Sequence, residues 1–392
     1  MSNTPKSQDK KILIVSVSMQ AGGVTRVCEN LAVALSKQGY KASILSMVDN
    51  VTSPQLQRLN EHNIGYYSTS NKAFGPKQIF TVTKDYYNFI KNNKFNAIYI
   101  ACLIPAIVCL LANIFAKCNA KTVVNFHTCL SEYLASQNNI KTAILKSLFF
   151  IVRKADILAN DSAKAAKDAE KVLGGTKVHC LYNPACTEEE LTHTSTEIPH
   201  KWLEDKNLKA IVTCGRLCKE KNFSRMLESF ALINTQQNNT RLIIVGSGPL
   251  MNELQQQANN LNISEYVDFL GMKTNPKEYF FHADHFWLTS NLEGFSLVLA
   301  EALSMGTDCM SVDCPHGPRE ILKDGNIGLL IPFNATNKEM ANAVIKHMKK
   351  PLEDKLFYRN RASDFTDVKS AERFLELLND TSTQQTNKEE YK

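Results

Sequence analysis

The sequence predicts an α/β protein built as two doubly wound domains, each a parallel sheet flanked by helices. Three observations carry that expectation. A strand, a glycine turn and a helix open the chain: residues 11–17, Gly22-Gly23, then residues 26–37. A second such opening follows at residues 208–214 and Gly215-Arg216. Between and after them, short apolar runs alternate with helix-like segments, the pattern of a sheet covered on both faces. A chain of 392 residues suits two domains of ordinary size.

Residues 11–17 are a continuous apolar run after a basic pair and read as a buried strand. The helix over 26–37 is amphipathic and stops at Gly39. The paired glycines have two readings, a turn needing positive φ or a backbone that lets a ligand approach. The dinucleotide fingerprint G-x-G-x-x-G is absent, which argues against a dehydrogenase. Residues 41–46 form the next strand, while 50–80 are polar and dotted with aromatics and resolve into no clear elements.

The run 98–116 is apolar except for Tyr99 and Asn113 and approaches bilayer-spanning length. Pro105 divides it and its start is β-branched, so a buried strand followed by a helix is expected. Residues 121–126 are a strand with His127 at its carboxyl end, where open α/β sheets bind ligands. Residues 140–158 combine Lys141, Lys146, Arg153 and Lys154 with many apolar side chains. Two readings stand: a helix lying on an anionic membrane, or a core helix with a charged edge. Ser162 is an expected N-cap.

The polar, acidic stretch 186–207 suits a linker. In the second half, strands are expected at 208–214, 241–245 and 266–270. The turn Gly246-Ser-Gly248-Pro249 leads into a helix over 250–261, and Gly271-Met272 follows the third strand. The domains are therefore placed at 1–185 and 208–360. A helix over 361–380 crosses back to the first domain, and 381–392 form a disordered tail.

The net charge of +6 hides an asymmetry. Residues 1–185 hold 22 Lys+Arg against 10 Asp+Glu, a net +12, so the remainder carries 6 − 12 = −6. A basic first half suits a polyanion, and an anionic membrane surface or a lipid-linked diphosphate fits. Nucleic acid is not expected, because no binding motif with interleaved aromatics occurs. The eleven cysteines are scattered, with no Cys-x-x-Cys pair, pointing to a reducing compartment without disulfides or a zinc site. Residues 1–10 are polar and lack a signal core, so a cytoplasmic location is expected.

The chemistry concentrates between Asn291 and Gly306. The stretch from Phe295 to Ser304 reads as a buried, nearly all-apolar helix that nonetheless carries Glu301. Glu293 sits just before its start, where the helix opening at Gly294, Phe295, Ser296 and Leu297 favours an anion. Six residues at ~1.5 Å each put Glu301 roughly 9 Å from that start, a spacing that suits a diphosphate on the amides and a ribose diol on Glu301. Arg216 and Lys221 share the loop after the strand at 208–214. One bidentate and one point-like cation there neutralise a diphosphate. No Asp-x-Asp occurs, and these cations make a metal unnecessary.

Glu293-Gly-Phe-Ser-Leu-Val-Leu-Ala-Glu301 resembles the Glu-x7-Glu signature of retaining glycosyltransferases of family 4, which have the GT-B fold of two Rossmann-like domains facing a central cleft. Supporting motifs lie in the same order: Gly22-Gly23-Val24-Thr25-Arg26, His127, Gly215-Arg216-Leu217 with Lys221-Asn222, and Gly246-Ser-Gly248-Pro249. The resemblance spans roughly residues 11 to 350 and departs at Tyr182, which stands where the family has Pro, and after Pro184, where Gly is missing. It implies transfer of a hexose or N-acetylhexosamine from a UDP-sugar, with no cofactor. By the same resemblance His127 lies near the transferred sugar and the Gly22-Gly23 loop contacts donor phosphate or acceptor. Gly215, Gly246 and Gly248 belong to the donor loops, and the backbone at Met272 reads uracil. Glu293 holds sugar hydroxyls, and same-face transfer is preferred to a nucleophilic Glu293. The loop 313–322 resembles a bacterial subset working on lipid-linked oligosaccharides, including O-antigen and capsule assembly, at the cytoplasmic face of the inner membrane. A transferase with a soluble acceptor and a non-catalytic nucleotide-sugar-binding protein are the alternatives.

Overall fold

The computed structural model describes residues 10–20, 22–69 and 73–389, with the backbone alone for 381–389. The chain divides into two compact units. One runs to Pro184 and resumes at Asp367; the other is Ala185–Thr366.

The first unit is built on a seven-stranded sheet. Its strands are β1 (Lys11–Ser16), β2 (Lys41–Ser46), β3 (Gly65–Ser68), β4 (Ala97–Ala101), β5 (Lys121–Asn125), β6 (Ile157–Asn160) and β7 (His179–Cys180). They lie in the order β3-β2-β1-β4-β5-β6-β7, all parallel. Successive side chains of a strand point to opposite faces. Ile12 and Ile14 therefore enter one core with Leu31, Leu35 and Phe374, while Leu13 and Val15 enter the other with Leu103 and Leu110. Both faces are covered, which is why β1 reads as a continuous apolar run.

The second unit holds a six-stranded sheet of β8 (Lys209–Cys214), β9 (Thr240–Val245), β10 (Val267–Gly271), β11 (His285–Leu288), β12 (Asp308–Val312) and β13 (Gly328–Ile331). Its order is β10-β9-β8-β11-β12-β13, again parallel. In each sheet the strand order reverses once, between β1 and β4 and between β8 and β11. The crevice outside the carboxyl ends of strands at such a reversal is where this architecture binds ligands.

One expectation holds at the longest apolar run, and several others change. The apolar run 98–116 is β4 followed by the helix Leu103–Ala116, and among the described residues no helix is long and apolar enough to cross a membrane. Residues 50–80 contain the helix Ser53–Glu61, closed by a Thr52–Gln55 capping box, then β3 and the start of the helix Ile79–Asn92. The single basic helix expected over 140–158 is two helices, Asn139–Ser147 and Phe149–Val152, followed by β6. Residues 186–207 are folded into the second unit: Leu203 is buried, Glu190 pairs with Lys277 at 2.6 Å, and the His193 carbonyl accepts from Arg359. Its acidic groups meet basic partners of that unit, which a reading by composition does not capture.

The segments entering and leaving the second unit run side by side, with Cys186 bridged to Thr366 and the amides of Ala185 and Cys186 on the Phe365 carbonyl. The last helix, Asp367–Glu389, buries Ala371 and Phe374 in the first unit's core. It runs helical through 381–389, where an irregular tail is expected; residues 390–392 lie outside the described ones.

Two glycines fix the loops at the carboxyl end of the second sheet. A Cβ on Gly246, whose φ is 136°, would meet the Gly215 carbonyl oxygen at 2.0 Å. One on Gly248 would meet backbone atoms of Leu217 at 2.4–2.8 Å. Gly22 differs: its φ of 177° is ordinary extended backbone, and a Cβ there meets only the Gln20 carbonyl oxygen at 3.8 Å. Gly248→Ala is expected to destabilise the chain by about 1–3 kcal/mol, and Gly22→Ala to change stability by less than about 1 kcal/mol. Chemical denaturation of both variants checks this; equal effects would contradict the close loop packing.

Candidate functional site

The reversal between β8 and β11 brings two loops together. After β8 come Gly215 and Arg216, then a short turn Lys219–Lys221. After β11 come Thr289, Ser290 and Glu293. The loops are stitched by hydrogen bonds: the Asn291 amide donates to the Glu220 carbonyl at 2.8 Å, and Asn222 Nδ2 donates to Asn291 Oδ1 at 2.9 Å. The Thr289 hydroxyl donates to the carbonyls of Lys221 and Asn222 at 3.3 and 3.1 Å. Asn222 adopts a left-handed conformation, φ 51°, and caps the next helix, Phe223–Asn234, by accepting from the Arg225 amide.

Within this frame Lys221 Nζ lies 2.6 Å from Glu293 Oε1, and the same oxygen accepts from the Ser290 hydroxyl at 2.6 Å. The Glu293 side chain is 7% exposed and that of Lys221 24%. Burial works against the ammonium, but Glu293 beside it outweighs that and holds the Lys221 pKa above its ordinary value. Lys221 therefore stays charged, and a half-open cation faces the site with its carboxylate oriented by two donors. Breaking such a pair by removing one member leaves a poorly solvated charge.

The other residues expected in donor loops share this end of the sheet. Arg216 is exposed on the β8 loop. Gly246 and Gly248 follow β9, and the Gly246 amide donates to the Gly271 carbonyl at 2.8 Å, tying in the turn after β10. Met272, next in that turn, is 69% exposed.

The helix expected from Phe295 begins at Leu297 and ends at Ser304. Ser296 is left-handed, φ 76°, and its buried hydroxyl has no hydrogen-bond partner. Phe295 is buried, its ring edge-on to Phe365 at 5.0 Å. The later start shortens the rise to Glu301 to four residues, roughly 6 Å. Glu301 is only 2% exposed, so its carboxylate lies inside the second unit rather than on the open rim beside Lys221.

In the first unit, Gly22 and Gly23 lie exposed at the start of the helix Gly23–Lys37, and neither requires a left-handed conformation. Ala21 beside them lies outside the described residues. His127, two residues past β5, is left-handed with φ 54°. Its ring is turned inward and is 3% exposed. Asn125 Nδ2 donates to the Tyr99 hydroxyl at 3.0 Å, and that hydroxyl is hydrogen-bonded to His127 Nε2 at 2.8 Å. His127 Nδ1 lies 3.9 Å from Asp161 Oδ2, which accepts from Asn183 Nδ2. Burial pushes the His127 pKa down to about 4. The imidazole is therefore a neutral anchor at physiological pH, and the group that His127 offers to the surface is its main chain.

Sequence reasoning gave no role to Ser290, Tyr99, Asp161 and Asn183, and named Asn222 and Asn291 only as members of their motifs. For Tyr99 and Asn125 a signal was available: each places a polar group in an otherwise apolar strand, where it needs a reason. No comparable signal marks Asn183, whose partner is far away in sequence.

The lowered His127 pKa has a sign. The unfolded chain takes up the imidazole proton below about 6.5 while the folded one resists until about 4. Its contribution to stability is complete above 6.5 and is lost as pH falls towards 4, by at most about 3 kcal/mol. Denaturation at pH 7 and pH 4.5 should show a smaller loss for His127→Gln than for the unaltered chain. Equal losses would contradict the buried neutral ring.

Comparison with known proteins now identifies the scaffold. The model of glycosyltransferase family 4 matches residues 21–189, and that of glycosyl transferases group 1 matches residues 194–364. A Campylobacter jejuni relative, N-acetylgalactosamine-N,N'-diacetylbacillosaminyl-diphospho-undecaprenol 4-alpha-N-acetylgalactosaminyltransferase, is 28% identical over 386 residues, covering 94% of this chain and 99% of that protein. The amylovoran biosynthesis glycosyltransferase AmsD of Erwinia amylovora is 22% identical over 321 residues, covering 80% and 84%. Among solved structures, Anabaena HepE in complex with UDP and glucose aligns with a TM-score of 0.77 at 21% identity, over 95% of this chain and all of that one. Each family model falls on one of the two doubly wound units, and the chain is a glycosyltransferase of family 4 with the GT-B fold.

Proposed function

We propose that this glycosyltransferase moves a hexose or N-acetylhexosamine from a UDP-sugar to a lipid-linked oligosaccharide or lipopolysaccharide acceptor, with retention at the anomeric carbon and without a metal on the diphosphate. The observation that carries the reading is the charged Lys221 at the strand reversal, paired with a Glu293 that also accepts from Ser290 and stands just before a helix start. The leaving group is a nucleoside diphosphate, so stabilising its developing charge is the main task. Lys221, the exposed Arg216 and the amides from Gly294 to Leu297 supply positive potential for it. Glu293 Oε1 is committed to Lys221 and Ser290, which leaves Oε2 for a hydroxyl of the donor sugar. Support for the donor comes from the HepE complexes with UDP and UDP-glucose, and for the acceptor from the undecaprenol-linked substrates in the names of two Campylobacter relatives.

Retention by a covalent intermediate needs a nucleophilic carboxylate against the anomeric carbon. Glu293 is occupied by an ammonium and Asp161 is buried beside Asn183. Same-face transfer, in which the leaving phosphate takes the acceptor proton, fits these residues better.

The acceptor reading suits a chain that works at the cytoplasmic face of the inner membrane. On the helix Asn139–Ser147, Ile140, Ala143, Ile144 and Ser147 are exposed at helical spacing, with Ile140 at 75% and Ile144 at 54%. Lys141 and Lys146 are exposed on its two flanks, and Leu145 faces the core. Phe150, 61% exposed, and Arg153 continue the surface. An outward apolar stripe bordered by lysines is the pattern of an interfacial helix, with stems in the acyl boundary and charges on the headgroups.

One assay checks both parts: transfer from UDP-sugars to an undecaprenyl-diphosphate oligosaccharide in anionic vesicles. The product is expected to keep the donor's α configuration by NMR, and the chain to sediment with the vesicles and be released by salt. A β product would overturn the same-face mechanism, and equal binding to neutral vesicles would overturn the electrostatic docking.

A further inference from the structure

The amino ends of the second sheet carry a side-chain cluster that the transfer reaction does not use. His285 opens β11 and Asp308 opens β12, and the two are register partners on adjacent parallel strands. His347 reaches the same point from the last turn of the helix Asn337–Met348. His285 Nδ1 and His347 Nε2 each lie 2.7 Å from one atom, Asp308 Oδ2. The second oxygen, Oδ1, accepts from the Tyr358 hydroxyl at 3.1 Å. His285 is 2% exposed, Asp308 3% and His347 13%.

We propose that His285, Asp308 and His347 form a binding site for a zinc-class divalent ion, which locks the amino ends of β11 and β12 to the helix packed on them. Two imidazole nitrogens and a carboxylate oxygen are a donor set that suits zinc. The three ligand atoms lie within 4.8 Å of one another. Donors at ~2.0–2.1 Å from a tetrahedral ion are ~3.3 Å apart, so small side-chain shifts open the hydrogen-bonded cluster to that geometry. Tyr358 on Oδ1 leaves Asp308 a monodentate ligand through Oδ2, as an outer partner does in protein metal sites. An entry path is present: a cavity of about 160 Å³ is lined by Asp308, His347, Tyr358, Gly328 and Phe357. It can supply a water as the fourth ligand. Each ring meets the ion through the nitrogen that faces Asp308, and a proton on that nitrogen moves to the ring's other nitrogen or to water, so no co-reactant is needed.

The site lies at the end of β11 opposite Glu293, so the ion braces the fold and takes no part in glycosyl transfer. Its test is independent of any substrate. Zinc is added by calorimetry to metal-stripped full-length chain, with cobalt as a spectroscopic probe. One zinc per chain, a raised thermal midpoint and visible cobalt absorption of a tetrahedral nitrogen–oxygen site are expected. His347→Gln, the least buried ligand, should weaken zinc by more than about 100-fold, since even outer-shell partners are worth ~10–100-fold. Its circular dichroism should remain that of the unaltered chain. Absence of zinc binding in the folded chain would overturn the site and leave a purely hydrogen-bonded cluster. Binding that survives unchanged in both His347→Gln and Asp308→Asn would overturn it too, by placing the ion elsewhere.

Discussion

The ion pair between Lys221 and Glu293 is the constraint on which the loops at the carboxyl end of the second sheet depend. The two residues stand on different loops, one after β8 and one after β11, and meet only because the strand order reverses between those strands. Their contact is reinforced from behind by Ser290, Asn222, Asn291 and Thr289, so position and charge state are set together. A lysine so placed is partly desolvated and already charged. In the proposed transfer that is electrostatic preorganisation, since the protein would reorganise little as charge develops on the leaving diphosphate.

The two ends of the second sheet divide the labour. At the carboxyl ends, backbone turns at Gly215, Gly246 and Gly271 crowd against one another and leave no room for side chains at Gly246 and Gly248. At the amino ends, side chains do the joining, through His285, Asp308, His347 and Tyr358. The first unit uses a related device at its own carboxyl end. There a buried polar cluster of Tyr99, Asn125, Asp161 and Asn183 holds His127 so that its main chain, rather than its ring, faces outward.

Much of the fold was legible in the sequence because parallel strands buried on both faces appear as continuous apolar runs, as at 11–17 and 241–245. The Pro105 break and the β-branched start of the run 98–116 correctly separated β4 from the helix after it. The run 140–158 misled because its apolar content is shared among a half-exposed helix, a second short helix and a strand, which have no common period. The stretch 186–207 misled because acidic composition says nothing of lysine and arginine partners far along the chain. At the site, the pairing of Lys221 with Glu293 was not visible, since no local spacing links residues on separate loops. The buried position of Glu301 was foreshadowed by the apolar surroundings of its helix, whose start two residues late was not.

The central claim is that Lys221 and its setting grip a nucleoside diphosphate. Removing the lysine alone would strand Glu293, so the informative variant is Lys221→Met/Glu293→Gln, which removes both charges. Calorimetric titration with UDP is the direct measurement. The unaltered chain is expected to bind UDP and the double variant to bind it at least about tenfold more weakly, the loss of one charge-assisted contact. Undiminished UDP affinity in the folded double variant would contradict the account.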